Sequence, residues 1–123
     1  MPRLMSVTLT EQQVVDRTKT VTRRSGWLFL KPGDRLTLCR KVMGRRKGDP
    51  LVRLAEVEVY DVTRQQLRID NTGHDAALEG FGDWSWSEFV EFFCGHMGGD
   101  ATQVVTRIEW RYLDEPREVP GER

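Results

Sequence analysis

Hydrophobic and polar residues alternate in several segments of the chain, which is the pattern of half-buried β-strands. The predicted strands span 3–9, 20–24, 35–42, 51–62 and 103–112. The longest strand signal is the fourth, where Leu54, Glu56, Glu58 and Tyr60 alternate with Ala55, Val57 and Val59. Residues 31–34, Lys-Pro-Gly-Asp, favour a tight turn before the third strand, because Pro presets φ and Gly accepts a positive φ.

Short helices are predicted between these strands. Thr10 with Gln13 has the form of a capping box, and Ser85 with Glu88 has the same form ahead of a Phe-rich helix over 86–96. A third short helix is expected at 74–78. The order of elements lacks a strand–helix–strand rhythm and favours an α+β protein. We expect a small mixed β-barrel of five or six strands, with two or three short helices on its rim.

Length and composition limit the remaining possibilities. A chain of 123 residues suits one domain, expected at 1–113, with a charged tail at 114–123. There is no run of 18 apolar residues, and the chain becomes polar too early for a secretion signal. The two cysteines, Cys39 and Cys94, have no paired spacing and suit a reducing compartment. We therefore expect a cytoplasmic protein that has no membrane partner.

Charge is distributed unevenly, although the formal net charge is zero. Residues 17–53 contain twelve Arg and Lys against two acidic residues, whereas residues 54–100 contain ten acidic residues against two Arg. A concentrated basic segment suits phosphate binding, because each neutralised phosphate releases counterions. The same counts also fit a fold in which the two halves pair and neutralise one another.

Chemically capable side chains are concentrated in residues 17–24, Arg-Thr-Lys-Thr-Val-Thr-Arg-Arg. On a regular strand Thr20, Thr22 and Arg24 would share one face, so Lys19 can meet Thr22 only if it precedes the strand. This row of donors suits a polar or anionic ligand. A competing interpretation is an exposed edge strand on which Lys and Arg prevent aggregation.

These residues resemble the signature of ASCH domains, a family of the PUA-like superfamily. The signature reads Gly-x-Lys-x-x-x-x-Arg, and Lys19 and Arg24 match it in identity and spacing. The Pro-Gly-Asp turn at 32–34, the Glu-Gly-Phe step at 79–81 and the terminal strand are also similar. Arg17 stands where the family usually has Gly, so Arg17 would be strained if that position requires a positive φ.

The resemblance implies a PUA-like barrel with a cleft lined by the signature, and roles connected with RNA. For some small bacterial members it implies hydrolysis of acetylcytidine by a Lys, a Thr and a Glu. Matched by motif, the catalytic residues would be Lys19, Thr22 and Glu79. A lysine desolvated in a cleft can serve as the base that a Thr nucleophile needs, and a Glu can orient it or handle a proton. Glu79 could equally be an ordinary carboxylate at the end of a short helix.

Two functions remain as hypotheses. The leading one is binding of RNA or a modified nucleotide in a basic cleft, because binding requires fewer residues to be placed correctly. The alternative is an amidohydrolase that deacylates a nucleoside such as acetylcytidine. A ribonuclease has less support, because the signature contains no His. The predicted ligand-binding residues are Thr20, Arg23, Arg24, Trp27, Arg40, Lys41, Arg45 and Arg46.

Some of these ligand-binding residues have a second interpretation. Trp27 could stack on a base or could help to close the barrel. Arg45 and Arg46 could contact phosphates or could lie on a solvated hairpin tip. The spacing of His and Cys fits no ordinary metal site, and we predict neither a metal nor a cofactor.

Overall fold

The computed structural model describes residues 2–44 and 46–114. Within these ranges five strands alternate with short helices. The strands are β1 (Arg3–Ser6), β2 (Val21–Arg24), β3 (Arg35–Cys39), β4 (Arg53–Gln66) and β5 (Val104–Tyr112). The helices are α1 (Glu11–Val15), α2 (Asp75–Leu78) and α3 (Trp86–Met97), and a 3-10 turn at Thr8–Thr10 leads into α1. The predicted tail lies outside the described residues apart from Asp114.

The strands form one mixed sheet in the order β1-β3-β4-β5-β2. β1 runs parallel to β3, and the other neighbours are antiparallel. The register shifts between Leu38 and Cys39 in β3 and between Val59 and Asp61 in β4. Such irregularities increase the local twist and bend of a sheet. The sheet curls into a half-barrel with three short helices, which confirms the predicted small α+β PUA-like fold.

Two apolar clusters support this sheet. The main core joins β1, β3, β4 and β5 to α1 and consists of Met5, Val7, Val14, Leu30, Leu36, Leu38, Leu54, Ala55, Val57, Val59, Ile108 and Trp110. Ala55, Val57 and Val59 are buried at every second position of β4, as the alternation predicts. The second cluster packs α2 and α3 beside the far ends of β4 and β5 and consists of Leu67, Ala76, Phe89, Phe93 and Val105.

One of the two predicted capping boxes is present in the structure, and the other is not. The capping box at Ser85 is present, with Glu88 N–H donating to Ser85 Oγ at 3.2 Å and Ser85 N–H to Glu88 Oε1 at 2.7 Å. The capping box at Thr10 was wrong, since its side chain makes no cap hydrogen bond. The 3-10 turn already binds the Thr10 N–H to the Val7 carbonyl at 3.0 Å, so the chain enters α1 without a side-chain cap.

Strand β4 is longer than its hydrophobic pattern indicates. It continues to Gln66 instead of ending near Val62, and Gln66 pairs with Val104 of β5. The final residues of β4 are polar, and the partner strand, not burial, holds them extended. No helix within the described ranges is long and apolar enough to cross a membrane.

Candidate functional site

A cavity of about 280 Å³ opens where β1 and β2, the two end strands of the sheet, approach one another. The guanidinium of Arg24 in β2 crosses this gap and donates to the Ser6 carbonyl of β1 at 2.8 Å. The cavity is lined by Ser6, Val7, Thr8, Leu9, Thr10, Lys19, Thr22, Arg23, Arg24, Glu79, Phe81, Phe89, Phe92, Phe93, His96 and Met97. The seam at which the barrel stays open therefore provides the space for a ligand.

Lys19 lies on the wall of this cavity, in the chain just before β2. From this position its side chain lines the same cavity as Thr22. Its Nζ donates to the Glu79 carbonyl oxygen at 2.7 Å and to Glu79 Oε1 at 3.4 Å. Its own carbonyl accepts from Trp110 Nε1 at 3.2 Å and from the Tyr112 hydroxyl. Lys19 is thus held at its backbone and at its amine, and only 3% of its surface is exposed.

The surroundings of this amine change its affinity for protons. Burial lowers the pKa of Lys19 to about 8, because an ammonium removed from water is disfavoured. The carboxylate of Glu79 opposes this shift, while the charges of Arg24 and Arg23 add to it. With a pKa near 8, about a tenth of the amine is neutral at pH 7 and can accept a proton.

Thr22 and Arg24 both line the cavity from β2, as their spacing of two on a strand predicts. Thr22 is 4% exposed, and its Oγ1 accepts from Arg24 Nε at 3.3 Å. Burial lowers the pKa of Arg24, and the nearby Glu79 carboxylate opposes the change. Within the described ranges, the side-chain hydrogen bonds of Arg24 go to a hydroxyl and a carbonyl. Its guanidinium is therefore available to an anion or to a developing oxyanion.

A group of buried ions lies behind Lys19. Arg23 donates from NH1 to Glu79 Oε2 at 2.9 Å and from NH2 to Asp75, and Arg107 of β5 donates from Nε to Asp75 Oδ2 at 3.0 Å. Burial raises the pKa of Asp75, but the hydrogen bonds from Arg107 and Arg23 outweigh it and lower the pKa to about 2. Lys19, Glu79, Arg23, Asp75 and Arg107 are each at most 3% exposed, and we call them the ionic cluster.

Sequence reasoning did not single out two members of this cluster. Asp75 opens the short helix α2, in a stretch whose pattern is weak. Arg107 stands between Thr106 and Ile108 in a strand that is otherwise mostly apolar. A charged residue within a buried strand was the available signal, since such a residue requires a partner.

Two of the other predicted ligand-binding residues are occupied by contacts within the fold. Thr20 donates its backbone N–H to the Leu78 carbonyl at 2.9 Å, and its carbonyl accepts from the Trp110 N–H at 3.0 Å. Trp27 packs against the main core, with its ring centre 5.4 Å from that of Phe29. Neither residue lines the cavity.

The predicted basic contacts after β3 also lie outside the cavity lining. Arg40 forms an ion pair with Glu11 through hydrogen bonds of 2.9 and 3.0 Å. Lys41 and Arg46 are exposed on the loop that follows β3. Arg45 lies outside the described residues. Of the predicted ligand-binding set, the structure therefore brings Arg23 and Arg24 to the cavity.

Aromatic side chains form much of the remaining cavity wall. Phe81, Phe89, Phe92 and Phe93 line it, and His96 lies 4.3 Å from the Phe92 ring, centre to centre. Aromatic faces can stack on the flat ring of a base. The cavity thus joins an apolar surface to a group of donors and a buried amine. Among residues 2–44 and 46–114, no three His, Cys, Asp or Glu side chains are grouped so that they could hold a metal ion.

The sheet and its helices form a small α+β fold of the PUA-like kind. No family model matches the sequence. No curated protein matches it either. Solved structures do match, and they include a protein from Enterococcus faecalis V583 described as DUF984. That protein is 16% identical, with a TM-score of 0.64, over 100% of this chain and 84% of its own.

Two ASCH structures are similar to this chain. The ASCH domain from Lactobacillus crispatus JV V101 has 16% identity and a TM-score of 0.59, covering 89% of this chain and 79% of its own. The ASCH protein from Zymomonas mobilis has 13% identity and a TM-score of 0.57, covering 88% of this chain and 65% of its own. At such identities the likeness concerns the fold, and this chain has an ASCH-like fold.

Proposed function

We propose that the cavity is the active site of an amidohydrolase that removes an acyl group from the exocyclic amine of a nucleoside such as acetylcytidine. The observation that carries this proposal is the buried amine of Lys19, which lines a cavity shared with Thr22 and is held by Glu79. A site that only binds a ligand needs no hydroxyl on the same cavity as a buried lysine. A hydroxyl nucleophile needs a base of this kind.

The residues suggest the following reaction. Thr22 Oγ1 attacks the carbonyl carbon of the amide while the neutral Lys19 amine takes the hydroxyl proton. Arg24, which already donates to Thr22 Oγ1, is placed to donate to the oxyanion that forms. The carbon–nitrogen bond then breaks, and the proton on Lys19 passes to the departing amine. A water molecule hydrolyses the acyl ester on Thr22, which releases a carboxylic acid and restores the hydroxyl.

The size and composition of the cavity favour a small ligand over a polymer. Its volume of about 280 Å³ lies just below the range of ordinary small-molecule pockets, which begins at about 300 Å³. Its aromatic wall suits one flat ring. The exposed cations Lys41 and Arg46 lie outside the lining, so the structure supports the alternative hypothesis of the sequence more than the leading one.

Binding of RNA or a modified nucleotide is a second candidate function, and one observation favours it. The guanidinium of Arg24 lines the cavity and has no carboxylate within ion-pair distance among the described residues, so it could hold a phosphate. Salt distinguishes the two functions. Polymer binding should weaken steeply with salt, whereas turnover of a neutral nucleoside should hardly change.

Hydrolysis of acetylcytidine by the purified protein tests the proposal. Lys19→Ala, Thr22→Ala and Glu79→Gln are each expected to lower the rate at least about 100-fold, the usual scale for loss of an acid–base or nucleophilic group. Lys31→Ala and Thr18→Ala, at exposed positions outside the cavity, serve as matched controls and should retain the activity. A folded native protein with no turnover above the blank would contradict the amidohydrolase and leave the binding function.

A further inference from the structure

The ionic cluster is continuous from β5 to the cavity. Arg107 donates to Asp75, Asp75 accepts from Arg23, Arg23 donates to Glu79, and Glu79 accepts from the Lys19 amine. The Thr72 hydroxyl donates to Asp75 Oδ1 at 3.0 Å. Each carboxylate is thus held by two basic side chains. In the proposed reaction Lys19 carries the proton and Glu79 holds its amine, so the other three ions need a separate explanation.

Stability alone does not explain why these charges are buried. Removing ions from water is costly, and an apolar group of similar volume often replaces a buried ion pair without loss of stability. Arg23 also adopts a demanding arrangement. It reaches two carboxylates at once, its guanidinium carbon lies 4.4 Å from the Trp86 ring centre, and its Nε is buried without a partner among the described residues. A planar guanidinium holds two carboxylates with five donors in a fixed fork, whereas an ammonium is a compact point charge with three donors on a flexible stem.

We propose that Asp75 and Arg23 are positioning residues for Lys19. Asp75 fixes Arg23, Arg23 fixes the Glu79 carboxylate, and Glu79 fixes the amine that faces the substrate. Arg23 was predicted from the sequence as a ligand contact, and this proposal gives it a different role. The catalytic meaning of the proposal rests on the proposed function. The predicted changes in the pKa of Lys19 do not rest on it, because they concern the protein without substrate.

The charges that surround the Lys19 amine determine the direction in which each substitution should change its pKa. Glu79 faces the amine and favours its protonation, while Arg24 and Arg23 of β2 disfavour it. Asp75 of α2 and Arg107 of β5 lie behind Arg23, and His96 of α3 lies on the cavity wall. Asp75→Asn removes an anion that offsets Arg23, so it should lower the pKa of Lys19 further. Arg23→Gln removes a cation and should raise it.

The predicted directions of change in the pKa of Lys19 distinguish a positioning role from simple loosening of the structure. If a substitution only opened the cluster to water, the amine would be rehydrated and its pKa would return towards the ordinary value in every variant. A downward shift in Asp75→Asn is therefore diagnostic. Charges separated by several ångströms in a protein commonly change a pKa by about half a unit or more.

Lysine side-chain NMR measures this shift directly. The chain has four lysines, Lys19, Lys31, Lys41 and Lys47, so a protein labelled at lysine Cε gives few signals, and Lys19→Met assigns the relevant one. We expect a midpoint near 8 in the native protein, a lower one in Asp75→Asn and a higher one in Arg23→Gln. Asp83→Asn, the same change of charge at an exposed position, is the control and should leave the midpoint unaltered. An unchanged or raised midpoint in Asp75→Asn would overturn the proposal.

A second variant keeps the test decisive if Asp75→Asn fails to fold. Arg23→Lys retains the charge but lacks the fixed fork of donors that holds Asp75 and Glu79 together. With acetylcytidine as the substrate, kcat should fall at least tenfold with little change in KM, because the loss concerns the transition state. A raised KM with unchanged kcat would assign Arg23 to ligand binding and overturn the proposal. If the native protein has no turnover, the proposed function fails, while the NMR titrations still decide the positioning role.

Discussion

The main core and the ionic cluster are both excluded from water, but they are built from opposite kinds of side chain. Leu36, Leu54 and Val57 in the main core are completely buried. Burial of each such side chain stabilises the fold by about 1.5–3 kcal/mol. Asp75 is equally buried, but as an ion its burial costs free energy that its partners must offset.

Burial therefore has two different effects within one small sheet: it stabilises the fold in the main core, and it costs free energy in the ionic cluster. The main core lies where β3, β4 and β5 pair along their length, and every side chain there contributes to stability. The ionic cluster lies beside the open seam between β1 and β2, and three of its members, Lys19, Arg23 and Glu79, line the cavity. We therefore expect substitutions in the core to affect mainly stability and substitutions in the cluster to affect mainly activity and its dependence on pH.

The largest expected effect on stability is in the core. Leu54→Ala removes a fully buried side chain of the main core and should lower the free energy of unfolding by about 2–5 kcal/mol. Urea denaturation followed by circular dichroism measures this loss. Leu28→Ala, at a position that is 68% exposed, is the matched control and should change stability by less than about 0.5 kcal/mol. A loss of activity per folded molecule in Leu54→Ala would break the separation between the two regions.

A smaller effect is expected when the charge in the cluster is titrated. The pKa of Lys19 is about 8 in the folded protein, against an ordinary value of 10.5 for a lysine in water, so the unfolded chain binds more protons between these values. Stability should therefore rise with pH in that window, by about 1–2 kcal/mol from pH 8 to 9.5. Lys19→Met should lack this rise, and urea denaturation at the two pH values measures it. Equal slopes in both proteins would mean that Lys19 has an ordinary pKa.

The sequence predicted the features that depend on local pattern. Alternation located the strands, the Pro-Gly-Asp turn at 32–34 preceded β3, and the capping box at Ser85 began α3. The spacing of two between Thr22 and Arg24 predicted that they share one face of β2, and Lys19 lines the same cavity because it precedes the strand.

The remaining features depend on contacts between distant segments. Asp75 and Arg107 are 32 positions apart and meet only when α2 packs beside β5. The polar end of β4 is extended because of β5, and the same residues alone would fit a loop. The contacts of Arg23 with Glu79 and Asp75 were not predicted, because alternation gives the face of a side chain and not its partners on that face.

The smallest expected effect is at Arg17, where backbone strain can be compared with side-chain contacts. The sequence departs from the ASCH signature at this position. Arg17 adopts a φ of 66°, which is the left-handed conformation that favours glycine. Its guanidinium donates to the Val14 carbonyl at 2.8 Å and to Asp114 at 2.9 Å, and it lies 4.9 Å from the Tyr112 ring centre. These contacts compensate for the strained backbone and tie the end of β5 to the segment that leads to Lys19.

Substitution of Arg17 by Gly and by Ala separates the strain of the left-handed backbone from the contacts of the side chain. Both variants lose the side-chain contacts, but Ala retains the left-handed strain, so Arg17→Gly should be more stable than Arg17→Ala by about 1 kcal/mol. At Gln12, an exposed position in α1, the order should reverse, because Ala favours an ordinary helix by about 1 kcal/mol over Gly. Thermal or urea denaturation of the four variants measures both differences. If Ala were the more stable residue at position 17 as well, the left-handed backbone there would not be strained, and the contacts of Arg17 would have no strain to offset.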